Sequence, residues 1–143
     1  MYTRRGSQIL TLDIGGTNVR GAIIDTSISI SSIEEVPIIS MPTNTKQRAQ
    51  GVVDQIVDLV ESFLKQEKCA EPIGISISVP GLIDPERGEI QLALNLPDWE
   101  NVQLANTLIE LTDLPVIIEN DANSAALGEW YYVFDRIPKS LVF

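Results

Sequence analysis

The feature that most constrains the fold lies near the start of the chain. Two apolar runs, residues 9–14 and 19–24, are separated only by Gly15-Gly16-Thr17-Asn18. Both runs are strand-like, and four intervening positions are too few for a helix, so the pair predicts a β-hairpin. Gly15 and Gly16 can take backbone angles closed to other residues. Without Cβ atoms they let the N–H groups of the turn approach an anion such as a phosphate. Thr17 adds a hydroxyl donor. Asp13, at the end of the first strand, brings a carboxylate to the same space, where it would repel an anion unless a cation such as Mg2+, held through water, lay between them. A glycine pair between strands is by itself more often a tight turn than a binding site. The dinucleotide fingerprint and the P-loop are both excluded, since the turn opens a strand rather than a helix and has no Gly-Lys-Ser/Thr.

The remaining chemistry is bounded by what the chain lacks. With 143 residues, 44% of them hydrophobic, it fits one well-packed domain, residues 1–143. Its net charge of −10 disfavours a nucleic-acid partner, and the nearest basic cluster is only Arg4-Arg5. There is no histidine and a single cysteine, Cys69. Imidazole catalysis, Cys/His zinc sites and an internal disulfide are thereby removed, which leaves carboxylates for acid–base work. No apolar run reaches membrane-spanning length and no secretory leader is visible, so a cytoplasmic protein without a membrane partner is expected.

Further along, residues 33–40 read as an edge strand interrupted by Pro37. A long helix is expected next, with Asn44 as N-cap and Gln47 as its capping-box partner. Ala49, Val52, Val53, Ile56, Val57, Val60, Phe63 and Leu64 fall on one face of that helix. Residues 73–79 alternate isoleucine and valine with Gly74, Ser76 and Ser78, a strand whose small face suits a closely packed helix. Asp84-Pro85-Glu86-Arg87-Gly88 is a turn between two short strands. A loop anchored by Trp99, a helix over 102–111, a buried strand over 115–119 and an alanine-rich helix over 120–130 follow, and residues 140–143 begin another strand. Three strands in meander, followed by strands alternating with helices, predict a mixed α/β sheet with helices on both faces. A Rossmann-like sheet is the alternative, disfavoured because the glycine turn leads into a strand.

Two further places carry candidate chemistry. Asn120 and Asp121 stand where a buried strand passes directly into a helix, at the carboxyl end of the sheet where open α/β sheets bind ligands. Such residues are most often caps. The positive end of the helix nevertheless favours a carboxylate at Asp121, and a carboxylate there can take the proton of a substrate hydroxyl as its oxygen attacks a phosphoryl group. Asn120, both donor and acceptor, can orient hydroxyls. Ser78-Val79-Pro80-Gly81 ends the third buried strand in a turn of its own.

The run Asp13-Ile14-Gly15-Gly16-Thr17-Asn18-Val19-Arg20-Gly21 resembles the first phosphate motif of the actin/hexokinase superfamily, and in particular that of sugar kinases of the ROK family (repressor, open reading frame, kinase). The resemblance continues through Pro80-Gly81, the Asp84 to Gly88 turn, Asn95-Leu96-Pro97-Asp98-Trp99 and the stretch 119–129. Asp98 stands where the family usually has glycine. What the resemblance implies is a ribonuclease-H-like, actin-like half-domain, the amino-terminal half of an ATP-dependent sugar kinase, with glucose or a related hexose as acceptor. It places the catalytic base at Asp121 and sugar contacts at Asn120, Gly81 and Asn95. The phosphates of ATP fall to Gly15, Gly16 and Thr17, with Asp13 toward Mg2+ through water. It also implies a second, nucleotide-side domain beyond this chain, with zinc only in that half, a homodimer of the full-length protein, and little kinase activity for this half alone. A sugar-sensing transcription regulator of the same family, or a sugar-binding remnant without catalysis, are the rival expectations.

Overall fold

The computed structural model describes residues 8–28, 32, 35–46, 48–66, 72–134, 136, 137, 139 and 140. Arg4, Arg5, Ile33, Gln47, Cys69 and residues 141–143, and the readings placed on them, lie outside these. Strand β1 (Gln8–Ile14) turns at the glycines into β2 (Asn18–Asp25), and β3 (Ile39–Pro42) completes a meander. Helix α1 (Ala49–Leu64) leads to β4 (Ile75–Val79), and α2 (Leu104–Thr112) leads to β8 (Val116–Asn120). The sheet order is β3-β2-β1-β4-β8, antiparallel through the meander and parallel from β1 to β4 to β8. Between β4 and α2, β5 (Leu82–Asp84), β6 (Glu89–Leu92) and β7 (Glu100–Val102) form a second, three-stranded sheet. Helix α3 (Asp121–Gly128) follows β8 and passes into a π-helical turn, Glu129–Val133.

Period-two alternation explains which face is buried. Leu10, Leu12 and Ile14 of β1, Ile75, Ile77 and Val79 of β4, and Ile118 of β8 share one buried face. It is covered by Val52, Ile56, Val60 and Phe63 of α1 and by Leu104 and Leu108 of α2. Phe63 lies so close to Gly21 that a Cβ there would stand 2.6 Å from its ring. Trp99 is 1% exposed in the same core, and its indole Nε1 has no hydrogen-bond partner among the described residues. Trp99→Ala should therefore destabilise the chain by about 3–5 kcal/mol. Trp99→Phe should retain most of that stability, because no hydrogen bond is lost with the indole. Urea unfolding of the two variants measures the difference.

The opposite face carries Thr11, Asp13, Arg20, Ala22, Ser76 and Ser78, and Ser124 of α3 lines a cavity with them. Helices thus lie on both sides of the sheet. The alanine-rich helix does not pack as tightly as its composition predicts, however, for α3 has no buried residue. It sits at the rim of β4 and β8, where its Asn123, Ala126 and Leu127 line a shallow cavity with Trp130, Lys139 and Ser140.

Three other expectations shift for local reasons. The edge strand begins at Ile39 rather than before Pro37, since β2 offers partners only from Asn18 to Gly21. Helix α1 begins at Ala49, with Arg48 at the N-cap position and no side-chain cap. Asn44 does not cap it: its N–H donates to Gln55 Oε1 (2.9 Å), and Thr45 N–H turns back to Thr43 O (2.8 Å). Helix α2 begins at Leu104 because residues 100–102 pair with β6 instead, Ile90 opposite Val102 and Leu92 opposite Glu100.

Candidate functional site

The carboxyl ends of β1, β4 and β8 lie side by side, with Asp13 opposite Ser78 and Ser78 opposite Glu119. This register brings the glycine turn, the Pro80-Gly81 turn and the start of α3 to one rim.

At the first corner, Gly15 N–H donates to Asn18 O at 2.9 Å and closes the hairpin. Neither Gly15 nor Gly16 has positive φ, so the unusual backbone angles expected of this pair are not used. Glycine is required at residue 16 for a different reason. A Cβ on Gly16 would stand 2.6 Å from Asn95 O, because the loop after β6 leans on the turn. Gly16→Ala should force these two segments apart and destabilise the chain by about 1–3 kcal/mol, measurable as a lowered melting temperature. Thr17 is exposed, and its carbonyl accepts from Thr43 N–H at 2.9 Å. The Asp13 carboxylate is half-exposed and faces Arg20 Nη1 at 3.4 Å across the hairpin. The cavity that Asp13 and Arg20 line with Thr11, Ser76, Ser78 and Ser124 measures about 390 Å³.

At the second corner, Gly81 has φ +119°, in the region that favours glycine. Gly81 and Asn95 line one cavity of about 310 Å³ together with Pro80, Leu82, Leu92 and Leu94. At the third, Asn120 is the N-cap of α3: its Oδ1 accepts from Ala122 N–H (2.9 Å) and Asn123 N–H (3.2 Å). Its Nδ2 donates to Gly81 O at 2.9 Å, tying the second corner to the third. Only one Nδ2 hydrogen is left for anything else. Asp121 follows in the first turn, exposed, with Oδ1 accepting from Ala122 N–H at 2.9 Å and no ion pair among the described residues. It stands one turn ahead of Ser124, on the same face of the helix.

The contacts therefore run along the rim from Gly16 to Asn95, across a shared cavity to Gly81, and on to Asn120 and Asp121. Neither of these two cavities is lined by Asp121 or by Gly15, Gly16 or Thr17 of the turn. Two contributors carry no motif. Glu119 Oε1 accepts from Asn120 N–H (2.8 Å) and Asn123 Nδ2 (3.0 Å), which steadies the strand-to-helix junction. Thr43 Oγ1 donates to Gly15 O at 2.6 Å across 28 positions of sequence, a link that no local pattern reveals.

The residues present suit an anion with a hydrated cation. The Gly16 and Thr17 N–H groups have no partner among the described residues. No cluster of three or more metal-ligating side chains occurs among those residues either. A single carboxylate, Asp13, beside an amide turn fits Mg2+ that retains its waters and leans on phosphate oxygens, rather than an all-protein metal cage.

The model of the ROK family matches residues 9–142. This chain belongs to the ROK family. Over 122 residues it is 34% identical to a glucokinase of Halalkalibacterium halodurans, covering 84% of this chain and 35% of that protein. A glucokinase of Streptomyces griseus, solved in complex with glucose and AMPPNP, superposes with TM-score 0.70 at 27% identity, over 87% of this chain and 36% of that one. The ROK chain is also 40% identical over 85 residues to a xylose repressor of Caldicellulosiruptor bescii, covering 57% of this chain and 21% of the repressor. It thus spans about a third of the length of the glucokinases it matches, and its sheet and helices form the actin-like half-domain of that fold. Among the described residues no helix is long and apolar enough to cross a membrane.

Proposed function

We propose that this chain is the amino-terminal, sugar-side domain of an ATP-dependent hexose kinase, with glucose as the expected acceptor. The observation that carries the reading is the contact path along the rim, in which Gly16 touches Asn95, Asn95 and Gly81 share a cavity, and Asn120 joins Gly81 to the start of α3. In this reading Asp121 is the base. Its carboxylate accepts the proton of the sugar hydroxyl as that oxygen attacks the phosphoryl group. Gly81 and Asn95 hold the sugar through the cavity they line, and Asn120 offers its remaining N–H. Gly16 and Thr17 amides, with the Thr17 hydroxyl, receive phosphate oxygens, and Asp13 stands beside them toward hydrated Mg2+. ATP supplies the phosphoryl group and Mg2+ offsets its charge. The rest of the nucleotide site belongs to the part of the longer polypeptide that this chain does not span.

A second reading, a sugar-responsive regulator domain, is favoured by the similarity to the xylose repressor. Both readings share a sugar site, and they separate on turnover. The test is to assay the full-length gene product with glucose and ATP, beside its Asp121→Asn variant. Sugar-dependent ATP consumption that is lost in Asp121→Asn supports the kinase. Sugar binding without turnover in the wild type supports the regulator.

A further inference from the structure

We propose that Thr43, outside the glycine turn and far from it in sequence, is the positioning residue that aims the turn's amides at a phosphate. The inference rests on the reading of that turn as a phosphate cradle.

Thr43 grips the turn twice. Its Oγ1 donates to Gly15 O at 2.6 Å, and its backbone N–H donates to Thr17 O at 2.9 Å. A peptide unit is planar and trans, so its C=O and N–H point in opposite directions. Holding Gly15 O therefore aims the Gly16 N–H away from Thr43. Holding Thr17 O fixes the unit after Thr17 in the same way. The intervening unit, which bears the Thr17 N–H, is suspended between two clamped neighbours. The outcome is asymmetric: the Gly15 and Thr17 carbonyls are both engaged, while the Gly16 and Thr17 amides have no partner among the described residues. Two successive unclaimed amides, with the carbonyls on either side of the Gly16–Thr17 peptide unit held, suit an anion, and no positive φ is needed to produce them.

The clamp is itself anchored. Thr43 is only 9% exposed, so water competes weakly for its hydroxyl. Gln55 of α1 brackets it, with Nε2 donating to Pro42 O at 2.8 Å and Oε1 accepting from Asn44 N–H at 2.9 Å. The orientation of the turn is thereby referred to a core helix rather than to a mobile loop.

The test uses amide NMR of the chain with inorganic tripolyphosphate in the presence of Mg2+ as probe, on wild type, Thr43→Val and Thr43→Ser. Valine keeps the shape and loses the hydroxyl, whereas serine keeps the hydroxyl. In the wild type and Thr43→Ser, the Gly16 and Thr17 resonances should titrate saturably and alike. In Thr43→Val the half-saturating concentration should rise at least tenfold, and the same resonances should already be displaced before the probe is added. A Thr43→Val spectrum and titration matching wild type would overturn the proposal. So would a folded Thr43→Ser chain that behaves like Thr43→Val. If the wild type shows no response at Gly16 or Thr17, the cradle reading fails. The probe-free spectra then decide the clamp alone: a displacement in valine that serine reverses sustains it, and none removes it.

Discussion

Asp121→Asn should lower kcat for sugar phosphorylation by the full-length protein by about 10²–10⁴-fold, the usual contribution of a positioned general base. KM for the sugar should change little, because asparagine retains the size of the side chain and one acceptor oxygen. The fold should survive. Asp121 is exposed and its carboxylate contacts only the adjacent Ala122 N–H, while the cap of α3 is made by Asn120. Loss of a negative charge in the first helical turn should reduce stability by only about 0.3–1 kcal/mol. A large fall in kcat at nearly constant melting temperature separates chemistry from folding. Steady-state kinetics and a thermal melt on the same preparation measure both. Turnover equal to wild type would move the base elsewhere; Glu119, two residues earlier on β8, is already committed to Asn120 N–H and Asn123.

Gly81→Ala should destabilise the chain by about 3–5 kcal/mol, as much as Trp99→Ala, and should abolish sugar binding with it. Two penalties combine. Alanine at φ +119° is strained by about 1–3 kcal/mol. Its Cβ would also be driven into the backbone of Leu92 and Ala93, which leaves no flexible side-chain end to move aside. The displaced turn would pull on Asn120 Nδ2, so the start of α3 should loosen too. Gly128→Ala is the matched control. Beyond its chain neighbours and its own helix backbone, nothing among the described residues lies within 4 Å of a Cβ placed there, and its φ of −60° is helical. That variant should be neutral or stabilised by up to about 1 kcal/mol. Chemical unfolding of the pair, with glucose titrated into each by calorimetry, gives the comparison. A Gly81→Ala chain as stable as Gly128→Ala would mean that the turn is not held as described.

What could be read from the sequence divides along physical lines. The hairpin at Gly15-Gly16, the buried faces of β1, β4 and β8 and the apolar stripe of α1 were all legible, because each is written in local periodicity. The turn at Asp84 was legible for a similar reason: Asp84 Oδ1 accepts from Arg87 N–H at 3.1 Å, and Gly88 takes φ +64°. Trp99 as a packing anchor was legible from its size. The rest was not, because it depends on contacts between distant segments. Gly16 owes its identity to Asn95, 79 positions away, rather than to its own backbone angles. Thr43 directly precedes the expected helix cap at Asn44, yet its hydroxyl serves the first hairpin. Residues 100 and 101 read as loop and Val102 as the start of a helix, because their pairing with β6 is non-local. Asn120 was legible as a polar residue at a ligand-facing rim, but its bond to Gly81 spans 39 positions and could not be.

The parallel pairing of β1, β4 and β8 also sets where this chain tolerates changes in length. Deleting Ile117 would rotate the following side chains of β8 to the other face, turning Ile118 outward and Glu119 into the apolar interior. A one-residue deletion in the 85–87 turn would leave all three strands aligned. Length variants of this domain should therefore accumulate in the small sheet and its turns, while the rim of the large sheet stays rigid in residue count.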